Sequence, residues 1–215
     1  MPIYFGHRGN EKDYIENTIC AINNCKFEGI EVDVRITADY QIILHHDPTF
    51  ERIYNVPFFV KEMEVNDIIK KFKTVVTLNE FLKYASFNKK KIIIDIKELL
   101  YHNICYIIDY CINFCKKNNY DINNIIFLSW ITIIKPRKNI KFFRASNYDY
   151  INKEYIRELK NDSLFDGVCL KYTGTNDNLR CINRIKKNNM EVNVYIENNI
   201  NVEDIIDNNI DYITL

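Results

Sequence analysis

Eight short apolar runs recur along this chain, and most are separated by stretches patterned as helices. The runs are Ile3–Gly6, Gly29–Thr37, Ile92–Ile96, Ile125–Leu128, Lys141–Arg144, Gly167–Leu170, Val192–Ile196 and Tyr212–Leu215. Strands that alternate with helices lie parallel, because each helix carries the chain back to the same end of the sheet. Eight such units predict a (β/α)8 TIM barrel. A doubly wound open sheet is the competing arrangement, but no Gly-rich phosphate loop follows the first run. At 215 residues the chain fits one domain, 1–215, with a full core.

The helices between the runs are marked by apolar spacing and caps. Asn17 or Thr18 caps a helix beginning at Ile19, and Thr77 with Glu80 forms a capping box. Further helices are expected around 104–117, 153–160, 179–188 and 202–207, with a weak helix or turn around Pro136. Gln41–Asp47 is an additional strand, and the brief link Ala38-Asp39-Tyr40 makes it the return arm of an antiparallel hairpin. Residues 48–76 are irregular apart from a short helix near 65–72, and are expected to form an excursion that walls or covers the site. No helix is expected after the eighth strand, so a neighbour, a contact between copies or the excursion must cover the barrel there.

Composition removes several classes of function. Lys plus Arg and Asp plus Glu number 29 each, so no overall field draws the chain to nucleic acid or an anionic membrane. No apolar run is long enough to span a bilayer, and an apolar strand as early as Ile3 leaves no room for a signal peptide. The seven cysteines include no CxxC pair, and nothing beside Cys111 and Cys115 completes a zinc site. Free, mostly buried thiols in a reducing, cytoplasmic setting are expected.

The charged residues on the strands carry the chemical signal. In Gly29–Thr37, Glu31, Asp33 and Arg35 alternate with Ile30, Val32, Val34 and Ile36, and in Ile94-Asp95-Ile96-Lys97 two charges alternate with isoleucines. A strand has a side-chain period of two, so each set of charges shares one face. With the isoleucines packed on helices, the charges point into the barrel mouth, where catalytic groups of such barrels gather. His7 and Arg8 end the first strand at the same rim. Buried charges are costly unless paired or metal-bound. Three carboxylates with a Lys and an Arg therefore call for a divalent cation, a phosphate, or both, and an all-oxygen ligand set favours Mg²⁺ or Ca²⁺.

The ordered set His7-Arg8-Gly9, Glu16-Asn17-Thr18, Gly29-Ile30-Glu31-Val32-Asp33-Val34, His46-Asp47 and Asp95-Ile96-Lys97 resembles the glycerophosphodiester phosphodiesterase family nearly end to end. Thr77-Leu78-Asn79-Glu80 and Leu128-Ser129-Trp130 are similar to further family motifs. The resemblance implies metal-dependent hydrolysis of a glycerophosphodiester to glycerol 3-phosphate and an alcohol. Glu31, Asp33 and Asp95 would hold the ion, His7 and His46 would be the general acid/base pair, and Arg8 and Lys97 would grip the phosphate. The attacking group can be the substrate's own glycerol hydroxyl, which gives a cyclic phosphate that water then opens. Asp95 stands where the family typically has Glu, and Tyr195-Ile196 where it has Trp-Thr. Tyr195 alternates with Asn193 and Glu197 and can still wall the substrate. The related sphingomyelinase D branch also has Asp at the third ligand position, but the Glu-Asn-Thr motif points away from it. A lysophospholipase D-like activity on a lipid is the enzymatic alternative, favoured if Phe58-Phe59 is exposed. A catalytically silent barrel that binds phosphorylated ligands or a partner is the alternative outside enzymes. No role is expected for His45, His102 or Ser129, and Glu16 is expected either to take part in the chemistry or only to tether or cap the first loop.

Overall fold

The computed structural model describes residues 1–9, 12, 14–131, 137, 139–147, 151–161, 165–196 and 209–215. Its strands are β1 (Ile3–Gly6), β2 (Gly29–Ile36), β3 (Ile42–Leu44), β4 (Lys91–Ile96), β5 (Ile125–Ser129), β6 (Lys141–Ser146), β7 (Gly167–Tyr172), β8 (Glu191–Ile196) and β9 (Tyr212–Thr214). All except β3 run parallel, in the order β1-β2-β4-β5-β6-β7-β8-β9, and β9 pairs with β1 to close the barrel. The helices are α1 (Ile19–Asn23), α2 (Glu51–Tyr54), α3 (Val65–Lys71), α4 (Leu78–Phe87), α5 (Tyr101–Asn118), α6 (Lys153–Asn161) and α7 (Asn176–Lys186).

The strand alternation sorts side chains into two layers. Ile30, Val32 and Val34 of β2 and Ile92, Ile94 and Ile96 of β4 share an outer layer with Phe81 and Leu82 of α4 and Ile104, Ile107 and Ile108 of α5. Phe5, Ile93, Ile126, Leu128, Phe143 and Tyr212 fill the barrel interior. The expected boundaries differ from the observed ones where a helix starts before its apolar stripe. α5 begins at Tyr101, with exposed Leu100 ahead of it, because burial starts only at Ile104. α7 begins at Asn176 because Thr175 Oγ1 accepts from the Asn178 main chain, a capping box closed by Asn in place of Glu. The expected helix 202–207 and the turn at Pro136 lie outside the described residues.

β2 is longer than its neighbours, and this overhang positions the site. One edge pairs with β4 from Gly29 to Val34; the other pairs with β1 only at Gly29 and Ile30. The free upper part of that edge takes β3 in antiparallel register, Val34 against Leu44 and Ile36 against Ile42. The hairpin therefore returns the chain downward, and His45 N donates to Asp33 O at 3.0 Å. The excursion after β3 packs around its own apolar cluster of Ile43, Phe50, Val60, Ile68, Phe72 and Val75. α2 within it is a single turn, too short to leave a periodic trace in the sequence.

The loop after β1 depends on Gly9, whose φ is +93°. A Cβ there would lie 3.0 Å from both Ala21 Cβ and Ile22 N. Gly9→Ala is expected to lower stability by about 1–3 kcal/mol, read by thermal denaturation. An unchanged melting temperature would mean the turn relaxes without cost.

Candidate active site

At the carboxyl ends of the strands lies a cavity of about 330 Å³, lined among others by His7, Arg8, Glu31, His46, Asp95, Lys97 and Tyr195. That volume suits a small ligand. β2 supplies Glu31 and Asp33, and β4, in direct register with Asp33 against Asp95, supplies the third carboxylate. Ligand oxygens of the three lie within 4.8 Å of one another, and all three residues are buried. Asp95, although a methylene shorter than Glu, still reaches the trio.

Two cations face these carboxylates. Lys97 Nζ is 2.6 Å from Asp95 Oδ2 and 3.0 Å from Asp33 Oδ1, and Arg8 Nε is 3.2 Å from Asp33 Oδ2. The main-chain N–H of Arg8 donates to Glu31 Oε2 at 2.8 Å. This geometry needs Arg8 at φ 49°, a conformation set by the tight turn into Gly9. Asn17, also at positive φ, donates through Nδ2 to Asp33 Oδ2 at 2.9 Å and accepts the Asp33 main-chain N–H at 3.0 Å.

Each carboxyl responds differently to the crowding. Burial, with the Asp33 charge beside it, pushes Glu31 up to about 7. Burial also raises Asp95, partly offset by Lys97. Asp33 would be raised by burial as well, but Lys97, Arg8 and His46 hold it well below the usual carboxylate range. If all are ionised, three carboxylates against Arg8 and Lys97 leave a negative charge uncompensated. Asp33 Oδ1 and Asp95 Oδ1 are buried without a hydrogen-bond partner among the described residues; Lys97 is within ion-pair range of the first but off its hydrogen-bonding line. Buried anionic oxygens left in this state fit an oxygen-ligated divalent cation held by Glu31, Asp33 and Asp95.

The histidines flank the cluster. His7 Nε2 is 3.9 Å from Glu31 Oε2, and its ring lies 4.3 Å from that of Tyr195, centroid to centroid. Tyr195 thus forms a wall on β8; Glu197, its expected companion, is outside the described residues. His46 Nδ1 sits 2.7 Å from Asp47 Oδ1. His45 points the other way, donates from Nε2 to Thr49 O at 2.9 Å, and packs on Phe50, so it belongs to the excursion's core. His102 is exposed on α5, and Ser129 is fully buried with its Oγ taking the Ile131 main-chain N–H.

Three features were not read from the sequence. Of the two expected caps, Thr18 is the one that caps α1, its Oγ1 accepting from the Ala21 main chain, while Asn17 holds Asp33. Cys169 and Asn193, neighbours on β7 and β8, also line the cavity. Asn193 Nδ2 donates to Cys169 Sγ at 3.1 Å, and burial pushes that thiol up to about 12, so it stays protonated. Their inward facing was legible from strand alternation, but nothing in the residue types singled them out. Finally, no residue of 48–76 lines the cavity, so the excursion, expected as a wall or lid, stands behind His46 instead. Among the described residues, the seven cysteines form no disulfide, and no helix is long and apolar enough to cross a membrane.

Comparison with known proteins adds an independent line. The model of the glycerophosphoryl diester phosphodiesterase family matches residues 7–212. A 71-residue stretch is 37% identical to a glycerophosphodiester phosphodiesterase of Caldanaerobacter subterraneus subsp. tengcongensis, covering 32% of this chain and only 29% of that relative. The crystal structure of a glycerophosphodiester phosphodiesterase from Thermotoga maritima aligns with a TM-score of 0.81 at 22% identity, over 100% of this chain and 94% of the other. An Oleispira antarctica phosphodiesterase, in complex with the product sn-glycerol-3-phosphate, aligns with a TM-score of 0.81 at 15% identity, over 100% and 92%. At these identities the structural likeness speaks for the fold.

Proposed function

The chain belongs to the glycerophosphoryl diester phosphodiesterase family, and from that premise we propose that it hydrolyses glycerophosphodiesters to glycerol 3-phosphate and an alcohol with the aid of Mg²⁺ or Ca²⁺. The observation that carries this reading is the buried trio Glu31, Asp33 and Asp95, with two unbonded oxygens, facing two cations and two histidines across one small cavity. The charge left over by the trio is the amount that a divalent cation and a singly charged phosphodiester cancel together. A bound cation supplies positive charge for the phosphoryl oxygens as displacement proceeds.

The chain's own residues do the rest. Arg8 and Lys97 offer donors to the phosphate and stabilise the charge that builds on it. A neutral imidazole has one nitrogen that accepts a proton and one that donates, so one of His7 and His46 takes the proton of the attacking hydroxyl while the other, in its protonated form, protonates the departing alkoxide. In the cyclic route the attacker is the glycerol hydroxyl beside the phosphate; the pair then exchanges roles as water opens the ring. Tyr195 confines the substrate beside His7. The sn-glycerol-3-phosphate held by the Oleispira protein is the product this reaction yields.

Glycerol 3-phosphate is expected to appear from glycerophosphocholine with added Mg²⁺ or Ca²⁺, and to cease with EDTA. Release that persists in EDTA would remove the cation from the mechanism, and no release with either metal would remove this substrate class. One observation favours a larger, lipid substrate: Phe58 and Phe59 are 47% and 41% exposed, and Phe59 borders a groove with Leu99, Leu100 and Lys97. Faster turnover of a lysophospholipid than of glycerophosphocholine would favour that substrate.

A further inference from the structure

We propose that Arg52 is a positioning residue for this site: through Asp47 it fixes the ring of His46, and through Glu16 it fixes the guanidinium of Arg8. One side chain outside the cavity thereby sets two groups inside it. The kinetic part of the proposal rests on the phosphodiesterase reading; the geometric part does not.

The contacts form an unbroken chain of alternating charge. Arg52 donates from Nε to Asp47 Oδ2 at 2.5 Å, from Nη1 to Glu16 Oε2 at 2.8 Å and from Nη2 to Glu16 Oε1 at 2.6 Å. Asp47 Oδ1 meets His46 Nδ1 at 2.7 Å, and Glu16 Oε2 also takes Arg8 Nη1 at 2.7 Å. Glu16, Asp47 and Arg52 do not line the cavity. Only Arg has the rigid fork that can serve a carboxylate with two parallel bonds and a second carboxylate with its Nε. The Arg52 side chain is 45% exposed, and exposed ion pairs contribute little to stability, about 0–1 kcal/mol. Three directed bonds at such a position make sense as orientation.

The seat of Arg52 is rigid. Phe50, just before α2, and Tyr54, at its end, place their rings 4.5 and 4.6 Å from that of Phe72. The His46 main chain is held separately, by Arg35 Nε donating to His46 O at 2.8 Å. Its ring has Asp47 as the contact that sets rotation and tautomer. An ionised carboxylate can only accept, so Asp47 keeps the ring proton on Nδ1 and leaves the Nε2 lone pair of the neutral ring for proton transfer. His46 and Arg52 hold the Asp47 carboxyl below its usual range against the effect of burial, in keeping with that role.

The test has two arms. In the first, Arg52→Ala is expected to lower kcat for glycerophosphocholine about 10- to 100-fold, with a smaller rise in KM as the Arg8 guanidinium loosens. Millimolar guanidinium chloride should restore part of the loss, while equal sodium chloride should not. In the second, the imidazole ¹⁵N shifts of His46 report the tautomer without any activity measurement. Asp47→Asn, whose amide can donate to Nδ1, is expected to move the proton to Nε2 at a pH where the ring is neutral. Unchanged kcat in Arg52→Ala overturns the proposal, as does a loss that guanidinium does not restore together with an unshifted tautomer in Asp47→Asn. If the wild type releases no glycerol 3-phosphate, the phosphodiesterase reading fails and the tautomer still decides whether the chain of contacts orients His46.

Discussion

His46→Ala is expected to lower kcat for glycerophosphocholine by about a thousandfold, while KM stays within about threefold of the wild type. The geometry explains the asymmetry. The His46 side chain is one-third exposed at the cavity mouth, and its one described side-chain partner is Asp47, which Arg52 still satisfies when the ring is gone. Truncation therefore breaks no buried network. Arg8, Lys97 and the three carboxylates, which bind the phosphate end in this reading, remain in place. What disappears is one of two proton carriers, needed only as bonds change. Steady-state release of glycerol 3-phosphate measures both constants. An unaltered kcat would end the acid/base assignment, and a KM that rises as steeply as kcat falls would make His46 a binding group.

The second large effect is on cation affinity. Asp95→Asn is expected to weaken binding of Mg²⁺ or Ca²⁺ by about a hundredfold, the upper end of what even outer partners of a metal site cost. Asp95 Oδ2 is taken by Lys97, while Oδ1 lies buried and unbonded beside Asp33. An amide at this position presents either a neutral oxygen or an N–H₂ to the cation, and the N–H₂ is repelled. The substitution also removes a charge from the crowded trio and leaves Lys97 paired with Asp33. Calorimetric titration of the ion into the folded protein reads the change without substrate. An identical isotherm would take Asp95 out of the site.

Much of this site is legible in the sequence because a barrel converts a simple alternation into a direction. Once β2 and β4 are known to belong to a closed parallel barrel, the faces carrying Glu31, Asp33, Asp95 and Lys97 must be interior, since the isoleucines opposite them need the helices. His7 and Arg8 followed from their place at the end of β1. The distance of His46 from the carboxylates did not follow, because it depends on β3 pairing with the overhanging half of β2, a register that a three-residue strand does not announce. Arg52 was invisible for a related reason. It lies in a segment without periodicity, on a single helical turn, and its partners Glu16 and Asp47 are separated from each other by two strands and a helix. The sequence does not decide between Asn17 and Thr18 as the cap of α1, because each has a ready local explanation there; Thr18 takes that place and the bonds of Asn17 run to a strand. Local pattern reports which way a side chain points; it does not report which loops fold over one another.

The pairing of β1 with β9 divides the site by when it can form. Glu31, Asp33 and Asp95 sit on strands that are direct neighbours in the sheet, so bringing them together needs only the part of the chain up to Ile96. His7 depends on the opposite ends of the sequence meeting: its main-chain N–H donates to Leu215 O at 2.6 Å and its ring rests on Tyr195. Contacts of such long range are the slow ones in folding. The carboxylate trio is therefore expected to form without the β1–β9 seam, whereas the place of His7 requires it. In the proposed reaction, cation affinity is expected to depend on one flank of the molecule and turnover on the closed ring.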